Sequence, residues 1–120
     1  MSKKTLVIGA SESPSRYSYH AVQRLIANNH EVIAIGSKLG EIGAVKIGIV
    51  QETFNGIDTV TMYLNKRHQR KYYDYIVALN PKRVLFNPGT ENEEFEKLLA
   101  KNDIAFERAC TLVLLSINQY

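Results

Sequence analysis

One cysteine, Cys110, stands in a chain of 120 residues. No internal disulfide can therefore form, and no zinc cluster can be built from cysteines. The three histidines, His20, His30 and His68, share no ligand spacing, which argues against a metal site. Long apolar runs are also missing. The N-terminal stretch MSKKTLVIGAS holds too short a run for a signal peptide, and nothing approaches the roughly 20 residues of a membrane span. The expected compartment is the cytoplasm, and no membrane is expected as a partner. The charge excess is small: 15 Lys and Arg against 12 Asp and Glu leave +3. That tolerates an anion and is too little to indicate nucleic acid. No G-x-S-x-G elbow, H-E-x-x-H, P-loop, internal repeat or low-complexity segment occurs.

What is present reads as one globular domain over residues 1–120. The chain is 45% hydrophobic and 22% charged, an ordinary globular balance. Two complete nucleotide-binding halves would need roughly 150 residues or more. Short apolar runs alternate with amphipathic stretches from end to end. Thr5–Ala10, Glu31–Gly36, Asp58–Leu64, Arg83–Phe86 and Ile104–Arg108 read as strands, several apolar enough for burial on both faces. Helices are expected over Ser18–Asn29, over Lys66–Leu79 and after Thr90, where Thr90 and Glu93 have capping-box spacing. Residues 37–57 read as a long turn, with a short strand near Val45–Ile47 and at most one helical turn around Gln51–Phe54. Thr111–Ile117 closes the domain as a strand or a short helix. Strand–helix alternation at this spacing implies right-handed crossovers: an α/β, Rossmann-like three-layer sandwich around a mostly parallel five-stranded sheet.

Ligands of such sheets sit beyond the carboxyl ends of the strands, so three loops matter. The first reads Gly9-Ala10-Ser11-Glu12-Ser13-Pro14. Its glycine permits close backbone approach to a phosphate and its serines add hydroxyls beside a helix start. A side chain at Gly9 is expected to block a phosphate and leave much of the sheet intact. The full G-x-G-x-x-G fingerprint is absent. The second loop follows Gly36 with Ser37 and Lys38, where an NAD-binding unit carries an acid for the ribose; a lysine there suits a ribose phosphate. The third, Asn87-Pro88-Gly89, lies across the expected crevice. Lys66, Arg67, Arg70 and Lys71 crowd the start of the third helix and oppose its dipole, which a bound polyphosphate or simple solvation offsets. Cys110 reads as a small buried hydrophobe, with Arg108 close in sequence. No residue pattern supplies a nucleophile with a base, so no catalytic residue is assigned.

The segments VIGASESPSRYS, IDTVTMYL and FNPGTENEEF, with Lys38 and the strand-end Cys110, resemble the small bacterial CoA-binding proteins. These are stand-alone domains similar to the N-terminal domain of the succinyl-CoA synthetase alpha subunit. The resemblance runs from about Lys4 to Leu115. It implies a CoA-binding Rossmann-like fold with coenzyme A or acyl-CoA as ligand. Carried over by position, Gly9, Ala10 and Ser11 would meet the CoA phosphates, and Pro14, Arg16 and Ser18 would shape that loop. Lys38 would lie near the adenosine end, Leu64 and Asn65 along the adenine or pantetheine path, and Pro88 and Gly89 opposite. The chain departs from the family pattern at Gly36-Ser37, at Asn65-Lys66-Arg67 in place of prolines, and at Phe86-Asn87. The expected role is a CoA-binding module without intrinsic catalysis. The alternatives are an NADP-binding oxidoreductase component and a ligand-free regulatory subunit that keeps only the fold.

Overall fold

The computed structural model describes residues 2–120. Seven strands form one sheet: β1 (Thr5–Ala10), β2 (Val32–Gly36), β3 (Gly40–Ile42), β4 (Val45–Gly48), β5 (Thr59–Met62), β6 (Arg83–Phe86) and β7 (Ala105–Arg108). Their order across the sheet is β3-β4-β2-β1-β5-β6-β7. Only the β3–β4 pair is antiparallel. The helices are α1 (Tyr17–Ala27), α2 (Tyr73–Leu79), α3 (Glu93–Lys101) and α4 (Thr111–Ser116). None of them is long and apolar enough to cross a membrane.

The expected α/β architecture is present, and the count of five strands is corrected to seven. The two added strands are β3 and β4, joined through Gly43-Ala44. Gly43 has φ +58, the left-handed value that the first position of a tight II′ hairpin turn demands. Strands of three and four residues are too short to show an alternating pattern, so only the β4 half was visible in the sequence. Gln51–Phe54 forms no helical turn; Phe54 instead packs its ring against the core.

Alternation along the strands divides the interior. Leu6 and Ile8 of β1, Val60 and Met62 of β5, and Val84 and Phe86 of β6 face α2 and α3, where they meet Ile76, Phe95 and Leu99. Val7 and Ala34 face the other way, toward Val22 and Leu25 of α1 and Leu115 of α4. Each large side chain so buried contributes roughly 1.5–3 kcal/mol. Asn29 and Asn80, at φ 64 and 51, end α1 and α2 in the left-handed conformation that asparagine tolerates.

Two expected helix starts are corrected. The capping box at Thr90 does not form. Asn92 is the N-cap instead, accepting from Phe95 N at 3.1 Å, while the Thr90 hydroxyl donates to Asn87 O at 2.7 Å. The expected helix over Lys66–Leu79 is broken into two 3-10 turns, Lys66–His68 and Arg70–Tyr72, before α2 begins. Gln69 lies between them, fully buried, its amide drawn inward to the carbonyls of Leu64 (2.9 Å) and Thr90 (2.7 Å).

At the carboxyl ends of β1 and β2 the two backbones nearly touch. The β1–β2 register slips between Ile8 and Ala10, so Gly9 is an extra residue bulged from the ladder at φ +90. A Cβ at Gly36 would lie 2.2 Å from the Ala10 carbonyl oxygen, and one at Gly9 would meet Tyr63 C at 2.9 Å and Leu64 N at 3.0 Å. A side chain at Gly9 would therefore strike the backbone just after β5, a cost beyond the blocked phosphate that the sequence did not show. Gly36→Ala is predicted to lose about 2 kcal/mol or more, as overpacking against backbone does. Gly48→Ala, whose Cβ would find its nearest neighbour at 4.0 Å, should stay within about 0.5 kcal/mol of the parent. Urea unfolding of both variants checks this, and equal midpoints would refute the close approach.

Candidate functional site

The order of strand connection reverses at β1: β2 lies on one side of it and β5 on the other, all three parallel, and the loops after β1 and β5 leave toward opposite faces. Between them opens a crevice of about 980 Å³. It takes in Gly9, Ala10, Ser11, Arg16, Ser18, Lys38, Leu64, Asn65, Pro88 and Gly89, ten residues that the sequence singled out. Pro14 stands outside it. Its carbonyl accepts from His20 Nε2 at 2.8 Å, a contact that fixes the loop from behind.

The loop after β1 is ordered by its own hydroxyls. Ser11 Oγ accepts from Ser13 N at 3.1 Å, and the Ser13 and Ser15 hydroxyls lie 2.9 Å apart. The loop feeds α1, whose N-cap, Arg16, makes no side-chain capping bond and whose first turn holds no acid. The free N–H groups and the helix dipole therefore present partial positive charge to the crevice. Glu12 also lines the crevice, and its carboxylate accepts from Glu41 N at 3.2 Å, tying the loop to β3.

Three cations line the crevice: Arg16, Lys38 and Lys71. None of them pairs with an acid among the described residues. The cationic run after β5 is thus divided by the fold. His68 and Lys71 line the crevice, Arg70 pairs with Glu94 at 3.0 Å, and Lys66 and Arg67 point to solvent. Gln51 Nε2 donates to Lys71 O at 2.8 Å and fixes the backbone beneath that lysine.

The opposite wall is held by buried amides that the sequence reading missed. Asn87, 2% exposed, donates to Thr61 Oγ1 (2.7 Å) and Met62 O (2.9 Å) and accepts from Thr111 N at 2.8 Å. It joins β5, β6 and the start of α4 behind the Pro88-Gly89 turn. Asn92 donates to Gln69 Oε1 at 2.9 Å and to the Tyr73 hydroxyl at 2.8 Å. The only sequence signal for this lattice was the Asn-Pro-Gly triplet, which read as a turn. Gly89 takes φ +91 with open space where a Cβ would be, so its conformation, not its size, requires glycine.

Tyr63, also at the crevice, has a buried hydroxyl without a hydrogen-bond partner, and burial pushes it up to about 12, so it stays protonated near neutral pH. Cys110 is half-buried and outside the crevice lining. Arg108, close to it in sequence, is committed to Glu96 through bonds of 2.8 and 2.9 Å.

Comparison with known proteins places this geometry. A crystal structure of a protein described as uncharacterised is 46% identical, with a TM-score of 0.97 over 100% of this chain and 99% of that one. A protein from Thermus thermophilus superposes with a TM-score of 0.87 at 19% identity, covering 99% of this chain and 91% of the other. A conserved hypothetical protein from Pyrococcus furiosus gives 0.79 at 24% identity over 92% and 98%. These last two share the fold. No curated protein matches. A family model described as a CoA binding domain matches residues 3–116. With nearly the whole length matched, the chain belongs to the CoA binding domain family.

Proposed function

We propose that the crevice binds coenzyme A or an acyl-CoA, and that the protein is a binding module that does no chemistry on its ligand. The observation that carries this reading is the set of three unpaired cations around a glycine-bulged loop, in a chain of the CoA binding domain family. A dry acid–cation pair would already be neutral; unpaired Arg16, Lys38 and Lys71 are left to a polyanion. In this reading Gly9, Ala10 and Ser11 cradle the diphosphate beside the uncapped start of α1, with Arg16 and Ser18 flanking it. Pro14 acts from outside, by fixing the loop. Lys38 meets the ribose phosphate, and the pantetheine arm runs past Leu64 and Asn65 toward Pro88 and Gly89. Binding without catalysis fits the absence of any assigned nucleophile–base pair among these residues. Ser11 Oγ accepts from the Ser13 amide and keeps its O–H to donate to a phosphate oxygen, and Tyr63 holds its proton.

Thermal unfolding with CoA, NADPH and NAD tests the ligand class. A ligand at 100 times its Kd stabilises by about 2.7 kcal/mol, and CoA should give the large shift. A shift with NADPH alone would replace CoA by a nicotinamide dinucleotide.

Lys38→Ala is expected to weaken CoA about tenfold and dephospho-CoA by less than twofold, since only the first carries the ribose phosphate. Titration calorimetry of both ligands reads the difference, and equal losses would remove Lys38 from that role.

Acetyl-CoA and succinyl-CoA incubated with the protein should release free thiol at the uncatalysed rate. Turnover that rises with protein concentration, with a KM raised by Lys38→Ala, would make the protein an enzyme.

A further inference from the structure

The sheet has two edges, and the chain treats them differently. An edge strand offers unpaired N–H and C=O groups to any extended chain that meets it, and proteins blunt such edges with short strands, caps, lysines or prolines. β3 is blunted twice over. It has three residues, and the outward amide of Glu41 donates to the Glu12 carboxylate at 3.2 Å. β7, at the other edge, is exposed at each of its four residues, Ala105–Arg108, and holds neither lysine nor proline. Its aromatic ring, Phe106, is 40% exposed.

The backbone of β7 fixes which groups are free. Ala109 N donates to Phe86 O at 3.1 Å. Successive residues of a strand aim their N–H and C=O groups to alternate sides. Glu107 and Ala105 therefore turn theirs toward β6, and Phe106 and Arg108 turn theirs outward, where the sheet ends. Side chains alternate as well. Phe106 lies on the α2/α3 face, edge-on to Phe86 with ring centres 6.3 Å apart, and Arg108 reaches Glu96 of α3 on that same face. Ala105 and Glu107 lie on the other.

These directions decide how an identical strand could pair. Two copies of β7, antiparallel about a twofold axis perpendicular to the sheet, keep their faces matched, and the axis must then pass through a residue. Through Arg108 or Glu107, it sets two like charges directly opposite, which destabilises a strand pair. Through Ala105, it calls on the Ile104 amide, which already donates to Leu99 O at 2.9 Å. Through Phe106, it opposes the outward N–H and C=O of Phe106 to those of Phe106 of the second copy, the pairing in which both hydrogen bonds form. Phe106 then faces an identical ring, Ala105 faces Glu107 and Ile104 faces Arg108, with no like charges opposed. An aromatic cross-strand pair is a favourable one.

We infer that β7 is a self-association edge: two copies join β7 to β7 antiparallel about Phe106, so that one sheet runs through both. The occupant is a second copy because, in this register, the strand is complementary to itself in backbone direction, face and charge. The twofold axis reverses strand direction, so the two crevices open at opposite ends of the pair. The inference therefore stands apart from the CoA reading. Pairing over four residues makes a small contact, and the association is weak and concentration-dependent.

Sedimentation equilibrium of the parent from about 10 µM to about 1 mM should show the mass rising from one chain toward two, as a small interface does. Phe106→Lys sets two ammonium groups opposite and should give a single chain throughout, with the far-UV circular dichroism of the parent. Register is read by crosslinking under a mild oxidant in a Cys110→Ser background. Across the axis the Cα atoms of residue 106 would lie about 5.5 Å apart, and those of residue 107 beyond the roughly 7 Å that a disulfide spans. Phe106→Cys should thus form a covalent dimer about tenfold faster than Glu107→Cys. Should Phe106→Lys fail to fold, the two cysteine variants decide. A parent that remains a single chain at the highest concentration, a folded Phe106→Lys that still pairs, or a Glu107→Cys that crosslinks as fast as Phe106→Cys overturns the inference.

Discussion

The approach of Gly36 to the Ala10 carbonyl is the constraint on which the crevice depends. With a Cβ predicted to fall 2.2 Å from that oxygen, no other residue fits without moving a strand. The same pinch leaves Gly9 bulged at φ +90 and pressed against the backbone after β5. Three loops thus start from strand ends that are locked together at van der Waals range.

On the far side the same rigidity comes from buried amides rather than glycines. Asn87 satisfies groups on β5 and α4 from its place at the end of β6, and Gln69 draws the segment after β5 down onto the Leu64 and Thr90 carbonyls. Each buried amide would be costly if it lost a partner, since an unsatisfied polar group in the interior forfeits its hydration. The lattice therefore specifies one position for the Pro88-Gly89 turn. It also explains why the chain after β5 forms tight turns rather than a regular helix.

Between these two walls the charge is left unbalanced. Glu94 pairs with Arg70, Glu96 with Arg108, and Glu12, the acid in the crevice lining, accepts from a backbone amide. Arg16, Lys38 and Lys71 have no such partner among the described residues. Like charges gathered around one cleft repel each other, and an anionic ligand turns that repulsion into attraction.

Local signals carried much of this into the sequence. Apolar runs marked β1, β2, β5 and β6, because strands buried on both faces must be apolar at successive positions. Asn29 and Asn80 marked helix ends, and Gly9, Ala10, Ser11, Pro14, Arg16, Ser18, Lys38, Leu64, Asn65, Pro88 and Gly89 were readable as a set from motif and family resemblance. Ten of those eleven residues line one crevice. What the sequence could not carry was whatever depends on distant partners. The β3–β4 hairpin is too short for periodicity and exists because β4 pairs with β2. The choice of Asn92 over Thr90 as a cap follows from Thr90 being taken by the Asn87 carbonyl. The division of the cationic run, with Lys71 turned into the crevice and Arg70 toward Glu94, is set by Gln69, a residue with no motif of its own. Residue identity along the chain determines which backbone shapes are allowed; only the packed sheet decides which polar groups find partners and which are left facing the ligand space.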